Sequence, residues 1–344
     1  MPRTLREIAA RTGLSTATVS HALRGLGRMT ADTRQRVLHE AQAMGYRPSS
    51  LLSRAFANIR QPEHRRFREV MGFITEFPPK NQPDYQAQIA KAVERHAAKL
   101  GYLVESFCLA PSPATAPAQR RLSRTLVARG IRGVIVMPRV NQWEPRLMLN
   151  WDRFAAVEIG HTLVKPHEFH RVERSLYYEL HDAFDLLARA GYRRIGLAVS
   201  PREDATRRGI YSAAFLAAQM ALPRERRLPP AAQAGPWGFP AFRRWLRQWE
   251  PEVLIIQENH VIEEWLMRLK LHVPRDISLF STGAGGTALS GLRANMQALG
   301  EAAVELTSLL LNGDEIGRPR SPRCWLVKDF REKGTSLRRP LPAL

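Results

Sequence analysis

The sequence predicts two unlike parts: a small all-α helix-turn-helix headpiece, then a larger α/β module of doubly wound parallel sheets. Three observations carry this. The first 47 residues hold three short helical patterns, each with its own apolar stripe. From Val70 onward, short apolar runs alternate with amphipathic ones. The chain has 344 residues and is 44% hydrophobic, too long for one small domain and apolar enough for sizeable cores.

Taken in order, Thr4 and Glu7 have the T-x-x-E spacing of a capping box, so a helix should start at Thr4. Leu5, Ile8 and Ala9 then share a face. Gly13 breaks the run and Ser15 can cap a second helix, with Val19, Ala22 and Leu23 as its stripe. Thr30 can cap a third, with Val37, Leu38, Ala41 and Met44 on one face and Gly45 at its end. Two short helices joined by a tight turn can place the second in a major groove. Ser15, Thr16, Ala17, Thr18 and Ser20 are small enough for that helix to approach bases and phosphates closely. A plain surface hairpin has the same first two helices, but the third gives the group a core of its own.

Charge points the same way. The net charge is +20, and residues 1–68 contribute +9 of it through thirteen Arg, no Lys and four acids. Charge density there is about three times that of the rest, which favours a polyanion, nucleic acid before an acidic membrane surface. Two cysteines, Cys108 and Cys324, make no disulfide framework or metal set and read as buried thiols in a reducing cytoplasm. No 18-residue apolar run or signal-peptide core is present.

Residues 48–60 form a linker with helical potential, Pro48 suiting a first turn and Leu51, Leu52, Ala55 and Phe56 sharing a face. A basic tether, QPEHRRFRE, follows. Strands are expected at Val70–Ile74, Leu103–Phe107, Val134–Met137, Ala155–Ile159, Ile195–Val199, Val253–Ile256, Ile277–Phe280 and Cys324–Val327. Helices are expected at Gln86–Leu100, Leu176–Ala190, Thr206–Met220, Phe239–Trp249 and Ala294–Leu311, and the Pro/Ala stretch 109–119 reads as a loop. So many strands suggest two sheets, with ligands at the carboxyl ends of the strands. The segment from Gly283 to Ala288 matches G-x-G-x-x-A, but it lacks the first-unit position and the acid of a dinucleotide site, so a cleft loop fits better. His167 and His170 are too close for a helical metal pair and read as a surface loop. No P-loop, zincin, nucleophile-elbow or zinc-cysteine pattern occurs, so neither metal nor cofactor is expected. That weighs against the alternative, a sugar- or nucleotide-processing α/β enzyme with a nucleic-acid anchor.

The stretches LREIAARTGLSTATVSHAL and TADTRQRVLHEAQAMGYRP, with the segment after Pro48, resemble the lactose-repressor (LacI/GalR) family of bacterial transcription regulators. The resemblance implies a headpiece over 1–47 and a hinge over 48–68. Behind these it implies a periplasmic-binding-protein-like module of two subdomains, 69–160 with 291–321 and 161–290 with 322–338, and a tail over 339–344. The chain would cross between the subdomains near Gly160, Ser290 and Pro322. It further implies a non-enzymatic cytoplasmic regulator, most simply a repressor, that binds a near-palindromic DNA operator as a homodimer and senses a sugar-like small molecule in the cleft. Thr16, Ala17 and His21 would read base edges, and Ser15, Thr18 and Ser20 would hold phosphates. The hinge position at which relatives place a minor-groove leucine holds Ala55, so Leu52 or Phe56 would take that part. Tyr85, Gln86, Arg207 (opening a helix), Trp237 and Asn259 would line the cleft. Two departures stand out: Gly283 occupies the place of a family acid, and over His170–Arg174 the familiar aspartate is absent, Glu173 being the acid there. The usual sugar contacts therefore do not carry over.

Overall fold

The computed structural model describes residues 5–23, 29–44, 69–109, 116–138, 147–161, 163, 169–257, 260–283 and 288–342. Leu52, Ala55, Phe56, Asn259 and the proposed Thr4 start lie outside them. The chain divides into two units, residues 1–67 and 68–344.

The first unit holds helices α1 (Leu5–Thr12), α2 (Thr16–Leu23) and α3 (Ala31–Ala43). Its core is Ile8, Ala9, Val19, Ala22, Val37, Ala41 and Met44. Gly13, at φ +67°, turns the chain between α1 and α2 in a conformation that a side chain resists. Ser15 caps α2, accepting the Thr18 N–H at 3.1 Å, and Thr30 caps α3 through the Thr33 N–H at 3.3 Å. Arg36 donates to the Thr12 carbonyl at 3.1 Å, which fixes α3 against the end of α1.

The second unit contains two sheets. The first has the order β10-β5-β4-β3-β1-β2, all parallel, from β1 (Val70–Thr75), β2 (Leu103–Cys108), β3 (Gly133–Val136), β4 (Ala155–Ile159), β5 (His170–Arg174) and β10 (Cys324–Val327). Helices α4 (Asp84–Lys99) and α11 (Met296–Asn312) cover one face, with Ile89, Val93, Leu299 and Leu310 meeting Phe73, Ile135 and Val157. The other face packs Val134, Val136 and Ala156 against Leu126 of α5 (Ala116–Ala128) and against Trp151, Phe154 and Phe169.

The second sheet runs β11-β9-β8-β7-β6, from β6 (Ile195–Ala198), β7 (Val253–Ile256), β8 (Ser278–Ser281), β9 (Ser290–Arg293) and β11 (Phe330–Glu332). Only β11 is antiparallel to its neighbour in this sheet. Helices α6 (Leu176–Arg189), α7 (Pro201–Thr206) and α8 (Ile210–Ala218) follow one another around β6, and α6 and α8 cover one face through Phe184, Tyr211 and Phe215. Helices α9 (Phe239–Trp249) and α10 (His260–Arg268) cover the other through Phe242, Trp245, Ile262 and Trp265. Sheets clad on both faces explain the near-continuous apolar strands.

Several expectations need correction. β5 belongs to the first sheet and β9 to the second, so the chain crosses between β5 and α6, between β9 and α11, and between β10 and β11. Those points lie beyond Gly160, Ser290 and Pro322, and residues 170–174 and 324–327 join the first sheet. His170 is 4% exposed at the start of β5, so it is a buried strand residue. Both Cys108 and Cys324 are exposed, since each ends or begins an edge strand. The Pro/Ala stretch ends in α5, whose Pro117 sits in the first turn, where a missing N–H costs no helical bond.

Candidate DNA-reading helix and ligand crevice

On α2, Val19 and Ala22 are buried, while Thr16, Ala17 and His21 are exposed. The three proposed base readers therefore share the outward side, held by the two core anchors. Ser15 and Thr18 share a hydroxyl–hydroxyl bond of 2.8 Å. One hydroxyl proton is used in that bond, so only the other can donate to a phosphate while it persists. Ser20 is half-buried on the same helix.

In the first sheet the strand order reverses between β1 and β3, the switch point where α/β folds open a crevice. Tyr85 and Gln86 begin α4, directly after β1. Gln86 is fully buried, and its Nε2 donates to Pro138 O beyond β3 at 3.2 Å and to Tyr85 Oη at 3.1 Å. Its Oε1 is buried without a partner among the described residues. Burial raises the Tyr85 pKa; the Gln86 bond and the charge of Arg207 pull it down, and Glu76 adds to the rise. The charge of Arg207, which follows α7 in the second sheet's part of the chain, thus acts on Tyr85. Arg207 lies just past the end of α7 and does not open a helix; α8 begins only at Ile210. Trp237 is half-buried against Trp265, ring centroids 5.4 Å apart, in the aromatic cluster with Phe239 and Phe242. Its described contacts join that cluster and not Tyr85, Gln86 and Arg207.

Two residues at the strand ends were not expected. Glu158 of β4 has a fully buried side chain, accepts the Leu163 N–H at 2.8 Å and lies 3.8 Å from Arg171. The Arg208 charge acts on it as well. Gln257 directly follows β7, and its Oε1 is buried without a described partner. A lone acid inside FAAVEIG and a lone amide after VLII were the available signals. Glu173 bridges His161 Nδ1 at 2.5 Å and Cys324 Sγ at 3.1 Å, an internal use for the acid of β5.

The crossings are pinned by a buried ion pair. Arg174, ending β5, donates through Nε to Asp329 Oδ2 at 2.8 Å and through Nη2 to the Thr282 carbonyl at 2.7 Å. Asp329, between β10 and β11, donates its own N–H to Glu179 at 2.6 Å.

Burial pushes the Glu158 pKa up to about 7 from 4.5, with Leu163 and Arg171 opposing the rise. A raised carboxyl pKa means that the fold prefers the protonated form. Below pH 4.5 the group is neutral in both states and costs nothing; as pH rises from 4.5 to 7 stability falls, by about 3 kcal/mol in all. Glu158→Gln, which keeps an acceptor for Leu163, should flatten this part of the melting-temperature profile and melt higher at pH 8. Parallel profiles for variant and wild type would remove Glu158 as the cause.

A groove of about 780 Å³ lies elsewhere, between α5 and residues 148–153, lined by Arg120, Arg124, Val127, Met148 and Arg153. No buried unpaired polar group of the described residues aims into it, so the crevice is the better candidate. Among the described residues no group of three or more His, Cys, Asp or Glu could hold a metal ion, and no helix is long and apolar enough to cross a membrane.

Residues 4–49 match the model of bacterial regulatory proteins of the lacI family, and residues 184–327 match a periplasmic binding protein-like domain. The HTH-type transcriptional regulator MalR of Streptomyces coelicolor is 28% identical over 207 residues, 59% of this chain and 55% of MalR. The chain thus spans about half the length of the curated relatives it matches. The transcriptional regulator CelR, solved in complex with cellobiose, superposes with a TM-score of 0.53 at 17% identity, covering 97% of this chain and 99% of CelR. The lac repressor dimer bound to operator and the anti-inducer ONPF gives 0.53 at 16%, covering 98% and 100%. At such identities the superpositions establish the fold alone. A lacI-type headpiece on a binding-protein-like module defines a class of transcription regulators rather than enzymes. The chain thus carries a lacI-family headpiece over residues 4–49 and a periplasmic binding protein-like domain over residues 184–327.

Proposed function

We propose that the protein is a cytoplasmic transcriptional repressor that binds a near-palindromic operator as a homodimer. A small polyhydroxylated molecule in the crevice would modulate it. The observation that carries this reading is α2, which holds Thr16, Ala17 and His21 outward while Val19 and Ala22 fix it in the core. One such helix covers few base pairs, so two headpieces on two half-sites supply the needed specificity. Thr16 and His21 hydrogen-bond base edges, and Ala17 contacts a thymine methyl. Closure of the crevice would change the angle between protomers and so the fit of the two headpieces.

Selection of bound sequences from a random DNA pool tests the reading, because the consensus reports symmetry and half-site spacing together. His21→Ala should relax preference at one base pair of each half-site, at about 1–3 kcal/mol. A consensus without two-fold symmetry contradicts the dimer, and an unchanged consensus for the variant removes His21 from the base readers.

A further inference from the structure

Two of the three crossings meet in one buried cluster. Arg174 ends β5 at the first crossing, and Asp329 stands in the third, between β10 and β11. Thr282, just past β8, ties the cluster to the second sheet through its carbonyl. Glu179 enters from the first turn of α6, and Tyr211 acts on Arg174 from α8. Arg174, Asp329 and Tyr211 are the titratable groups that share the cluster with Glu179. The side chains of Asp329 and Tyr211 are fully buried, and those of Glu179 and Arg174 nearly so.

With both carboxyls ionised, hydrogen bonding in this cluster does not close. Glu179 Oε1 accepts the Asp329 N–H at 2.6 Å, and Asp329 Oδ2 accepts from Arg174 Nε at 2.8 Å. Glu179 Oε2, Asp329 Oδ1 and Tyr211 Oη remain, all buried and without a partner among the described residues. One hydroxyl cannot serve two separate acceptors, and a buried acceptor left over is costly. The two carboxyls lie within hydrogen-bond reach of each other. A single proton between Glu179 Oε2 and Asp329 Oδ1 pairs both oxygens and leaves the Tyr211 hydroxyl a lone pair to bond. It also balances the charge. Arg174 offsets one carboxylate, and nothing in the cluster offsets a second in a site closed to water.

We propose that Glu179 and Asp329 hold one shared proton as a latch on the crossings. Bound, it fastens the third crossing to the start of α6. Released to solvent water, it leaves two carboxylates facing each other, and the crossing loosens. Burial raises the Glu179 pKa, the charge of Asp329 adds to the rise, and Arg174 opposes it. The direction follows: the latch is shut at low pH and opens as pH rises through the raised value. The proton is thus a second input to any movement of one subdomain against the other.

Amide hydrogen exchange of the full chain at pH 6 and pH 8, corrected for the intrinsic pH dependence of exchange, tests it. Segments 174–179 and 327–330 contain the bonds from the Ser175 N–H to the Val327 carbonyl and from the Asp329 N–H to Glu179. Their protection should fall about tenfold between the two values, and that of β7 much less. Glu179→Gln gives Asp329 a permanent N–H donor and keeps an acceptor for its amide. Its protection should be the same at both values, and its melting temperature reports its fold. Glu158→Gln, which removes the titration in β4, should keep the wild-type fall. No fall in wild type, an equal fall in Glu179→Gln, or a fall abolished by Glu158→Gln each overturns the latch.

Discussion

Gly291→Ala should not fold its second subdomain. In β9, Gly291 is paired in parallel with Ser281 of β8. A Cβ at this position would lie 1.9 Å from the Ser281 carbonyl oxygen and 2.8 Å from its carbonyl carbon and amide nitrogen. Those are backbone atoms of a neighbouring strand, so no rotamer change relieves the overlap. The strands must separate, and β11, whose neighbour among the described strands is β9, loses its support. We expect a cost above about 4 kcal/mol, a large share of the 5–15 kcal/mol that holds a typical domain. Gly133→Ala is the control. Its Cβ would approach Leu311 Cδ1 and Thr307 Cγ2 at 2.8 and 2.9 Å, the ends of side chains that can shift, at about 1–3 kcal/mol. Denaturant unfolding of both variants gives the order. Gly291→Ala within 1 kcal/mol of wild type, or less affected than Gly133→Ala, would show that the two strands can move apart freely.

The second large effect is expected in the headpiece. Of its seven core residues three are alanines, so Ile8, Val19, Val37 and Met44 supply most of the buried apolar area. Ile8 is completely buried. Truncation to alanine costs about 2–5 kcal/mol through lost transfer energy and the cavity left behind. A three-helix unit of this size has only a few kcal/mol in hand. Ile8→Ala should therefore unfold the headpiece and reduce affinity for the selected operator by more than a hundredfold. The melting transition of residues 68–344 should stay at its wild-type temperature. Operator binding within threefold of wild type would mean that the core tolerates the cavity.

The sequence made the headpiece legible because its signals are local: caps at Ser15 and Thr30, and apolar spacing that puts Ile8, Val19 and Val37 inward. Apolar strands such as Val253–Ile256 were legible for the same reason. β5 was not. Its residues His170, Arg171, Glu173 and Arg174 look like a solvated loop, and their partners lie as far off as Asp329, 155 residues along the chain. β9 hides behind Ser290 and Gly291, where close strand approach leaves no room for the β-branched residues that mark strands. Tyr85, Gln86 and Arg207 were proposed from position in the chain alone, and of these Tyr85 and Gln86 stand in the first turn of α4. Trp237 was not separable from core, because four neighbouring aromatics, Phe239, Phe242, Trp245 and Trp265, give its ring somewhere else to pack.

The triple passage between sheets bears on how the protein comes off the ribosome. The headpiece is complete within the first 44 residues and can fold while the rest is still being made. Neither sheet can do the same. The first lacks the helix that covers Phe73, Ile135 and Val157 until Leu310 has emerged, and its edge strand until Val327. The second lacks Ser336, whose hydroxyl accepts the Ser290 N–H at 2.7 Å and donates to the Leu279 carbonyl at 2.7 Å. At roughly 5–20 residues per second, the apolar strands begun at Val70 wait more than about ten seconds for their last partners. A nascent chain with a finished DNA-binding end and an unfinished sensing end is thus an obligatory stage of every synthesis, and the interval in which chaperones have the most to protect.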